Sequence, residues 1–352
     1  KVVIDRRDCI HVKFEGNQVP YFSHGVAKIR VADEDLTMSP EQITELLLRS
    51  GREGNRWESL VSNKTIDDID EELLMKYTTQ AHDVGRIAIT YTDKKTVLNQ
   101  LELIEGDALL NAGKALFSDD IVQDVQMAIF ATDERLTFND IQRHHGPVLK
   151  LVDIAENYIK SNIHWRVEFT GALQRTEIPE IPVEAIREAL VNALAHRDYS
   201  ITSAPITFYI YREKIEIKSP GRLVFPLKVS DLEKHEPIHR NKLICSIFSN
   251  TEYMEHIGTG IRRMNDAMID NGLREPILEE SGEFFKATFF GKDFLNKHVK
   301  LNDRQSSFLE SDMSKITISQ YMKLFDVSRN TAISDLNDLV SKRLVRKFKD
   351  AK

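Results

Sequence analysis

Residues 183–196 read as one helix with two unlike faces, and that contrast limits what the chain around it can be. In "VEAIREALVNALAH", Val183, Ile186, Leu190, Ala193 and Leu194 recur at helical spacing and form an apolar stripe. The opposite face of such a helix ordinarily carries Lys and Glu toward water. Here it carries Glu188, Asn192 and His196, each four residues after the last, flanked by Ala185, Ala189 and Ala195. Residues four apart project from one side of a helix, a turn from each other. An acid, an amide and an imidazole therefore stand in a row beside small side chains. A carboxylate next to an amide oxygen is a hard-oxygen environment. It suits Mg²⁺, which takes one or two protein ligands and completes its shell with water and phosphate. The carboxylate also suits polarising a water. The competing reading is an ordinary polar helix face, because Glu-x-x-x-Asn is a common spacing.

The 352 residues suffice for two or three domains. Lys and Arg number 48 against 55 Asp and Glu, a net charge of -7, which excludes a chain-wide basic footprint. Any nucleic-acid surface must be local. Cys9 and Cys245 are far apart and form no C-x-x-C pair. That fits a reduced, cytoplasmic protein without a structural zinc site. No apolar run approaches the roughly 20 residues that span a bilayer, so no membrane partner is expected. No signal peptide opens the chain, and it begins without Met, so it reads as a piece of a larger protein.

Short alternating runs, "CIHVKFEG" and "GVAKIRVAD", predict strands of a small mixed domain over 1–51. "TMSPEQITELLLRSG" closes it as a helix with Ser39 at the N-cap. Residues 52–106 read as a helical linker region, with acids opening the helix of "TIDDIDEELLMKYTTQAHDVGR". Residues 107–294 predict one α/β domain. A strand ("DVQMAIFAT") comes first, then a helix ("GPVLKLVDIAENYIKSNI"). A strand pair or long strand ("HWRVEFTGALQRTEIP") leads into the helix at 183–196, and a hairpin ("ITFYIYREKIEIKSPG") follows. Two helices and a closing strand ("FFKATFFG") complete it. Strands arrive in antiparallel pairs, so the fold class is an α/β sandwich of α+β type rather than a βαβ series. Residues 295–352 are a separate segment. There "ISQYMKLFDVSRNTAISDLNDLVSKRLVRKFKD" has the spacing of a helix-turn-helix, with a strand-like basic tail as the wing.

Three further motifs surround the polar helix face. In "HIGTGIRR" Gly258, Thr259 and Gly260 open a helix, which exposes backbone amides and the helix dipole to an anion. "KSPGRL" is a turn after a strand, with Gly221 at the turn. "IHRNKL" places Arg240 and Asn241 at another helix start. Capped helix starts and a hairpin exit are the plainer readings of these three. A P-loop is excluded, because "GDALLNAGKALF" has six residues between its glycines and Ala115 after Lys114. "HRD" at 196–198 lacks the Gly-rich loop and D-F-G of a protein kinase. "RHHGP" at 143–147 reads as a loop, not a metal site.

Taken in order, these motifs resemble the Bergerat ATP-binding arrangement of gyrase and the histidine kinases. More specifically, "EALVNALAHRDYS", "IEIKSPGRL", "HRNKLI" and "EHIGTGIRRMNDAM" look like the GHKL-like domain of the Schlafen/AlbA-type transcriptional regulators, often labelled RecG-like. "GNQVPYFSHGVAKIRVADEDLTMSPEQI" looks like the end of their AlbA-type domain, most of which this sequence lacks. The resemblance implies ATP and Mg²⁺ as cofactors. It casts Glu188 as the water-polarising acid, Asn192 as the Mg²⁺ ligand, Gly258 and Gly260 as phosphate-loop glycines and Gly221 as the adenine-side glycine. His196, Arg197 and Asp198 either reach the phosphates or hold the helix end to the sheet. One departure stands out: where the Bergerat pattern has an Asp facing the adenine amino group, this chain has Ser219.

The winged helix implies duplex DNA as a partner. Arg329, Asn330 and Thr331 sit in the first turn of the recognition helix, and Lys342, Arg343, Arg346, Lys347 and Lys349 in the tail. Two functions follow. One is a DNA-binding regulator whose Bergerat-like domain senses nucleotide or forms a homodimer. The other is an enzyme, either a slow Mg²⁺-dependent ATPase or an accessory part of a Schlafen-like nuclease.

Overall fold

The computed structural model describes residues 2–4, 7–9, 22–31, 34–40, 42–43, 57–119, 123–163, 165–168, 176–224, 227–234, 238–251, 253–254, 258–292, 299–311, 313 and 315–347. The chain divides into two compact units, Lys1–Arg56 and Trp57–Lys352. In the first, β1 (Val2–Ile4) and β2 (Arg7–Cys9) pair antiparallel. An antiparallel sheet follows, made of β3 (Phe22–Ser23), β4 (Val26–Val31) and β5 (Glu34–Thr37). The expected helix start is present as a reciprocal capping box. The Ser39 hydroxyl accepts from the Gln42 amide at 3.2 Å, and Gln42 Oε1 accepts from the Ser39 amide at 2.9 Å. The body of that helix lies outside the described residues.

The second unit begins with β6 (Val61–Thr65), α1 (Glu71–Asp83), α2 (Lys94–Gln100), β7 (Ile104–Glu105), β8 (Ala108–Leu110) and α3 (Asn111–Phe117). Next come β9 (Asp124–Phe130), β10 (Phe138–His145), α4 (Val148–Asn162), the hairpin β11 (Trp165–Glu168) and β12 (Thr176–Pro179), and α5 (Val183–Ala195). Then follow β13 (Ile206–Ile210), β14 (Lys214–Pro220), α6 (Lys242–Ser249), α7 (Gly260–Asp270), β15 (Ile277–Ser281) and β16 (Phe284–Phe290). The unit ends with α8 (Asp303–Leu309), α9 (Ile318–Phe325) and α10 (Arg329–Ser341).

The main sheet has six strands in the order β10-β9-β13-β14-β16-β15. Only β9 and β13 run parallel, while the other neighbours are antiparallel. A parallel pair needs a long crossover, and the segment holding α4 and α5 supplies it. Along β13 the alternation is strict: Ile206, Phe208 and Ile210 are buried, as are Ile215 and Ile217 of β14. Helix α4 packs against β9, and α5 packs against β14, β16, α4 and α7. The other face carries Glu216, which accepts from the Arg135 guanidinium at 2.7 Å. The fold is the mixed α+β class that the pattern of antiparallel pairs predicts.

Two expectations change here. Residues 57–106 are not a linker but part of the second unit. Trp57 stacks on Tyr199 with ring centroids 5.1 Å apart. The buried Glu58 carboxylate accepts from the Lys242 and Leu243 amides at 2.6 and 2.8 Å, so an acid from the start of the unit caps α6. Hydrogen bonds to a charged group of this kind contribute about 1.5–3 kcal/mol each. A polar, turn-rich composition conceals such a partner because it lies 184 residues away. His144 and His145 end strand β10 rather than forming a loop. Neighbours on a strand point to opposite faces, so they still do not converge on one ion.

The C-terminal helices pack around buried Phe308, Tyr321, Ala332 and Leu339. Asp326, in the left-handed region at φ 49°, ends α9, and Ser328 caps α10 through the Thr331 amide at 3.1 Å. The helix-turn-helix is therefore formed. Of the expected wing, the described residues 342–347 contain no strand, and 348–352, with Lys349, lie outside the described residues. No helix among the described residues is long and apolar enough to cross a membrane.

Candidate functional site: a cavity between α5, α7 and β14

Helix α5 buries Ile186, Leu190 and Leu194 on the sheet side, so its polar row must face elsewhere. It faces a cavity of about 180 Å³. Glu188, Asn192 and His196 line one wall. Ile217 and Ser219 of β14 with Ala287 of β16 line another. Gly258 and Gly260 at the start of α7 line it beside Glu188, and Gly221 and Arg240 line it beside Asp198, past the other end of α5.

The acid and the amide are joined. Asn192 Nδ2 donates to Glu188 Oε1 at 2.8 Å. A side chain at position 260 would set its Cβ 2.0 Å from that same Oε1, so the Glu188 carboxylate keeps this position only because residue 260 is glycine. The Glu188 carboxylate thus lies against the N-terminus of α7, where the helix dipole favours negative charge. The motif order suggests a pair facing the loop across open space, but Glu188 lies directly against its Gly260 end.

Gly221 shows the same economy past the other end of α5. Its φ is +114°, and a Cβ there would meet the Asp198 backbone nitrogen at 3.0 Å. Asp198 in turn accepts from Arg240 Nη1 at 2.9 Å, while Arg240 Nη2 donates to the Arg222 carbonyl at 2.7 Å. Arg240 therefore lines the cavity as part of an ion pair. Ser219, at the position where an Asp is missing, lies on the wall and donates its hydroxyl to the Ala193 carbonyl at 2.7 Å. Its oxygen retains lone pairs toward an amino group.

Two sequence candidates leave the site. Arg197 is 1% exposed and donates to the carbonyls of Ala204 at 3.0 Å and Ile201 at 3.1 Å. Asn241 is 3% exposed and donates to the carbonyls of Ala195 and Arg197 at 2.9 and 2.8 Å. Both hold the end of α5 to its surroundings and offer nothing to a phosphate. Thr259 is the N-cap residue of α7, between the two lining glycines. His239, which sequence reasoning passed over, stacks on His196 with ring centroids 5.4 Å apart at the cavity wall. Its signal was present in "IHRNKL", one residue before Arg240.

The C-terminal candidates also divide. Arg329 and Asn330 are exposed at the start of α10, while the Thr331 hydroxyl pairs with Ser328 Oγ at 2.9 Å. Arg343 and Lys347 are exposed. Lys342 is drawn inward, donating to the Lys300 carbonyl at 2.6 Å and to Asp338. Arg346 is no wing residue. It bonds Asp266 of α7 at 3.0 Å and also Glu233 and Glu275, which ties the segment after α10 to α7. Asp335 is buried, and Asp338 is half-exposed but engaged. Asp335 accepts from Asn302 and Arg304, and Asp338 from Gln305.

Residues 203–289 match the family model described as "Putative ATP-dependent DNA helicase recG C-terminal", so this region is ATPase-like. The match takes in Gly221, Ser219, Arg240 and the Gly258–Gly260 loop and begins after α5. The fold is similar to that of a crystal structure, the DIP2311 protein from Corynebacterium diphtheriae, at 19% identity and a TM-score of 0.59. The likeness covers 89% of this chain and 65% of that one, and it concerns the fold alone. No curated protein matches the chain.

Burial, followed by the charges of His239 and Arg240, pushes the His196 imidazole down to about 4 from the ordinary 6.5. Between those two values the unfolded chain binds a proton that the folded chain does not. The stability His196 contributes is full above pH 6.5 and is lost as the pH falls toward 4. Denaturant midpoints measured across that window are expected to fall with pH, and less steeply in His196→Asn. NMR should show the imidazole still neutral at pH 5.5; titration near 6.5 would contradict the burial argument.

Proposed function

We propose that the cavity binds an adenine nucleotide with Mg²⁺, and that the chain is a DNA-binding regulator whose helix-turn-helix is fixed to this domain. The observation that carries the reading is the Glu188–Asn192 pair set against the glycine start of α7 in the lining of one cavity. The residues fit the group: Gly258 and Gly260 line the cavity at the start of α7, where backbone amides and the helix dipole suit an anion, and Gly221 packs on Asp198 where a β-carbon would clash. In this reading the base lies against Ile217 and Ala287, with Ser219 accepting from its amino group. Asn192 donates an amide hydrogen to Glu188, and its carbonyl oxygen is the atom that would hold the cation. Mg²⁺ supplies charge neutralisation on the phosphates when bound. Glu188 orients and polarises a water.

Titration calorimetry of the full chain with ATP is expected to show saturable, Mg²⁺-dependent binding. Asn192→Ala should weaken it at least about tenfold, a loss of about 1.4 kcal/mol. Glu188→Ala should leave binding within a few-fold and abolish any turnover. Heat without saturation, or equal binding and turnover in both variants, would show a scaffold that lacks the chemistry. Measurable turnover in the unaltered chain, lost in Glu188→Ala, would favour the slow-ATPase reading.

What supports DNA binding is the surface of α10: Arg329 and Asn330 are exposed in its first turn, Asp335 is buried against Asn302 and Arg304, and Asp338 is paired with Gln305 and Lys342. A recognition helix meets base edges with this turn. Anisotropy titrations of the full chain with duplex DNA should show salt-dependent binding. Arg329→Ala should relax sequence preference, and Arg343→Ala with Lys347→Ala should flatten the salt slope. No salt-dependent association with any duplex would make the bundle a protein-interaction module.

A further inference from the structure

His196 ends α5, His239 precedes α6 and Cys245 lies within α6, yet their donor atoms all fall within 4.8 Å of one another. The two imidazoles lie nearly parallel, at 13°. Both line the cavity. Cys245 is buried behind them at 2% exposure, with its sulfur 3.9 Å from the Ala195 carbonyl. Three elements thus deliver two nitrogens and one sulfur to a single spot. The spot lies at the C-terminal end of α5, one helical turn beyond Asn192.

We propose that His196, His239 and Cys245 form a zinc site. Two imidazoles and a thiolate are a borderline-soft donor set, which selects Zn²⁺ and rejects Mg²⁺. Bond lengths of about 2.0–2.3 Å place tetrahedral ligands about 3.3–3.7 Å apart, so the three donors must close by about 1 Å. The two imidazoles have an open cavity beside them in which to turn. Three protein ligands leave a fourth position facing that cavity, which water completes. Metal binding takes the proton from the Cys245 thiol, which passes to solvent, and the thiolate pair forms the bond to zinc. Arg240 stands close by, but its charge is offset by Asp198 at 2.9 Å. Sequence spacing misses this site, because its ligands come singly and its one cysteine has no neighbour to pair with.

The test is a Co²⁺ titration of the full chain after chelator treatment, under reducing conditions. One Co²⁺ per chain is expected, with thiolate-to-cobalt charge-transfer absorption and the visible bands of a tetrahedral site. Zn²⁺ should bleach these bands and Mg²⁺ should not. Cys245→Ser should remove the charge-transfer band, and His239→Gln should weaken Co²⁺ binding at least about tenfold. Absence of the band in the unaltered chain overturns the proposal. So does its persistence in Cys245→Ser, which would assign it to Cys9. If Cys245→Ser fails to fold by circular dichroism, His239→Gln decides alone, and unchanged Co²⁺ affinity in that variant also overturns the proposal. ATP binding is a separate readout, so the two proposals fail independently.

Discussion

Helices α5 and α7 pack together where Gly260 meets Glu188. A β-carbon at 260 would lie 2.0 Å from Glu188 Oε1, so any other residue there would turn the carboxylate to another rotamer, and that same oxygen holds Asn192. The glycine therefore sets the placement of the acid–amide pair against the start of α7, where the helix dipole favours negative charge. The sheet beneath supplies the rigid reference. Its apolar face, with Ile215 and Ile217, fixes where α5 lies and hence where the polar row points.

Much of this was legible in the sequence because it depends on local period. The apolar stripe of α5, the β13–β14 hairpin and the glycine start of α7 each announce themselves within a dozen residues. What escaped was long-range. Glu58 caps a helix 184 residues away, and nothing about an acid in a turn-rich stretch names its partner. Arg197 and Asn241 look like phosphate ligands beside a candidate site, but burial commits them to backbone carbonyls. Arg346 reads as wing charge in "SKRLVRKFKD", yet three acids from elsewhere in the unit claim it. His239 was hidden for the opposite reason, since a single histidine in a loop carries no periodic signal.

The claim on Arg346 has a structural consequence. Asp266 belongs to α7, the helix whose first turn lines the cavity, and Glu275 precedes β15 in the main sheet. The Arg343 carbonyl also accepts from the Glu275 amide at 3.0 Å. The end of the helix-turn-helix segment is thus tied to the ATPase-like region by a cluster of one guanidinium and three carboxylates. Single exposed ion pairs contribute little, about 0–1 kcal/mol. A guanidinium shared among three partners at 18% exposure is a stronger and more directional link. It gives α7 one end at the cavity and another at the helix-turn-helix.

Nucleotide binding in this cavity is decided by a crystal structure of the full chain with Mg²⁺ and a non-hydrolysable ATP analogue. The expected complex has the phosphates at the Gly258–Gly260 turn, the metal on the Asn192 carbonyl oxygen and the base beside Ser219 and Ile217. An analogue bound elsewhere, or a cavity with the Glu188–Asn192 pair unchanged at saturating analogue, would contradict it.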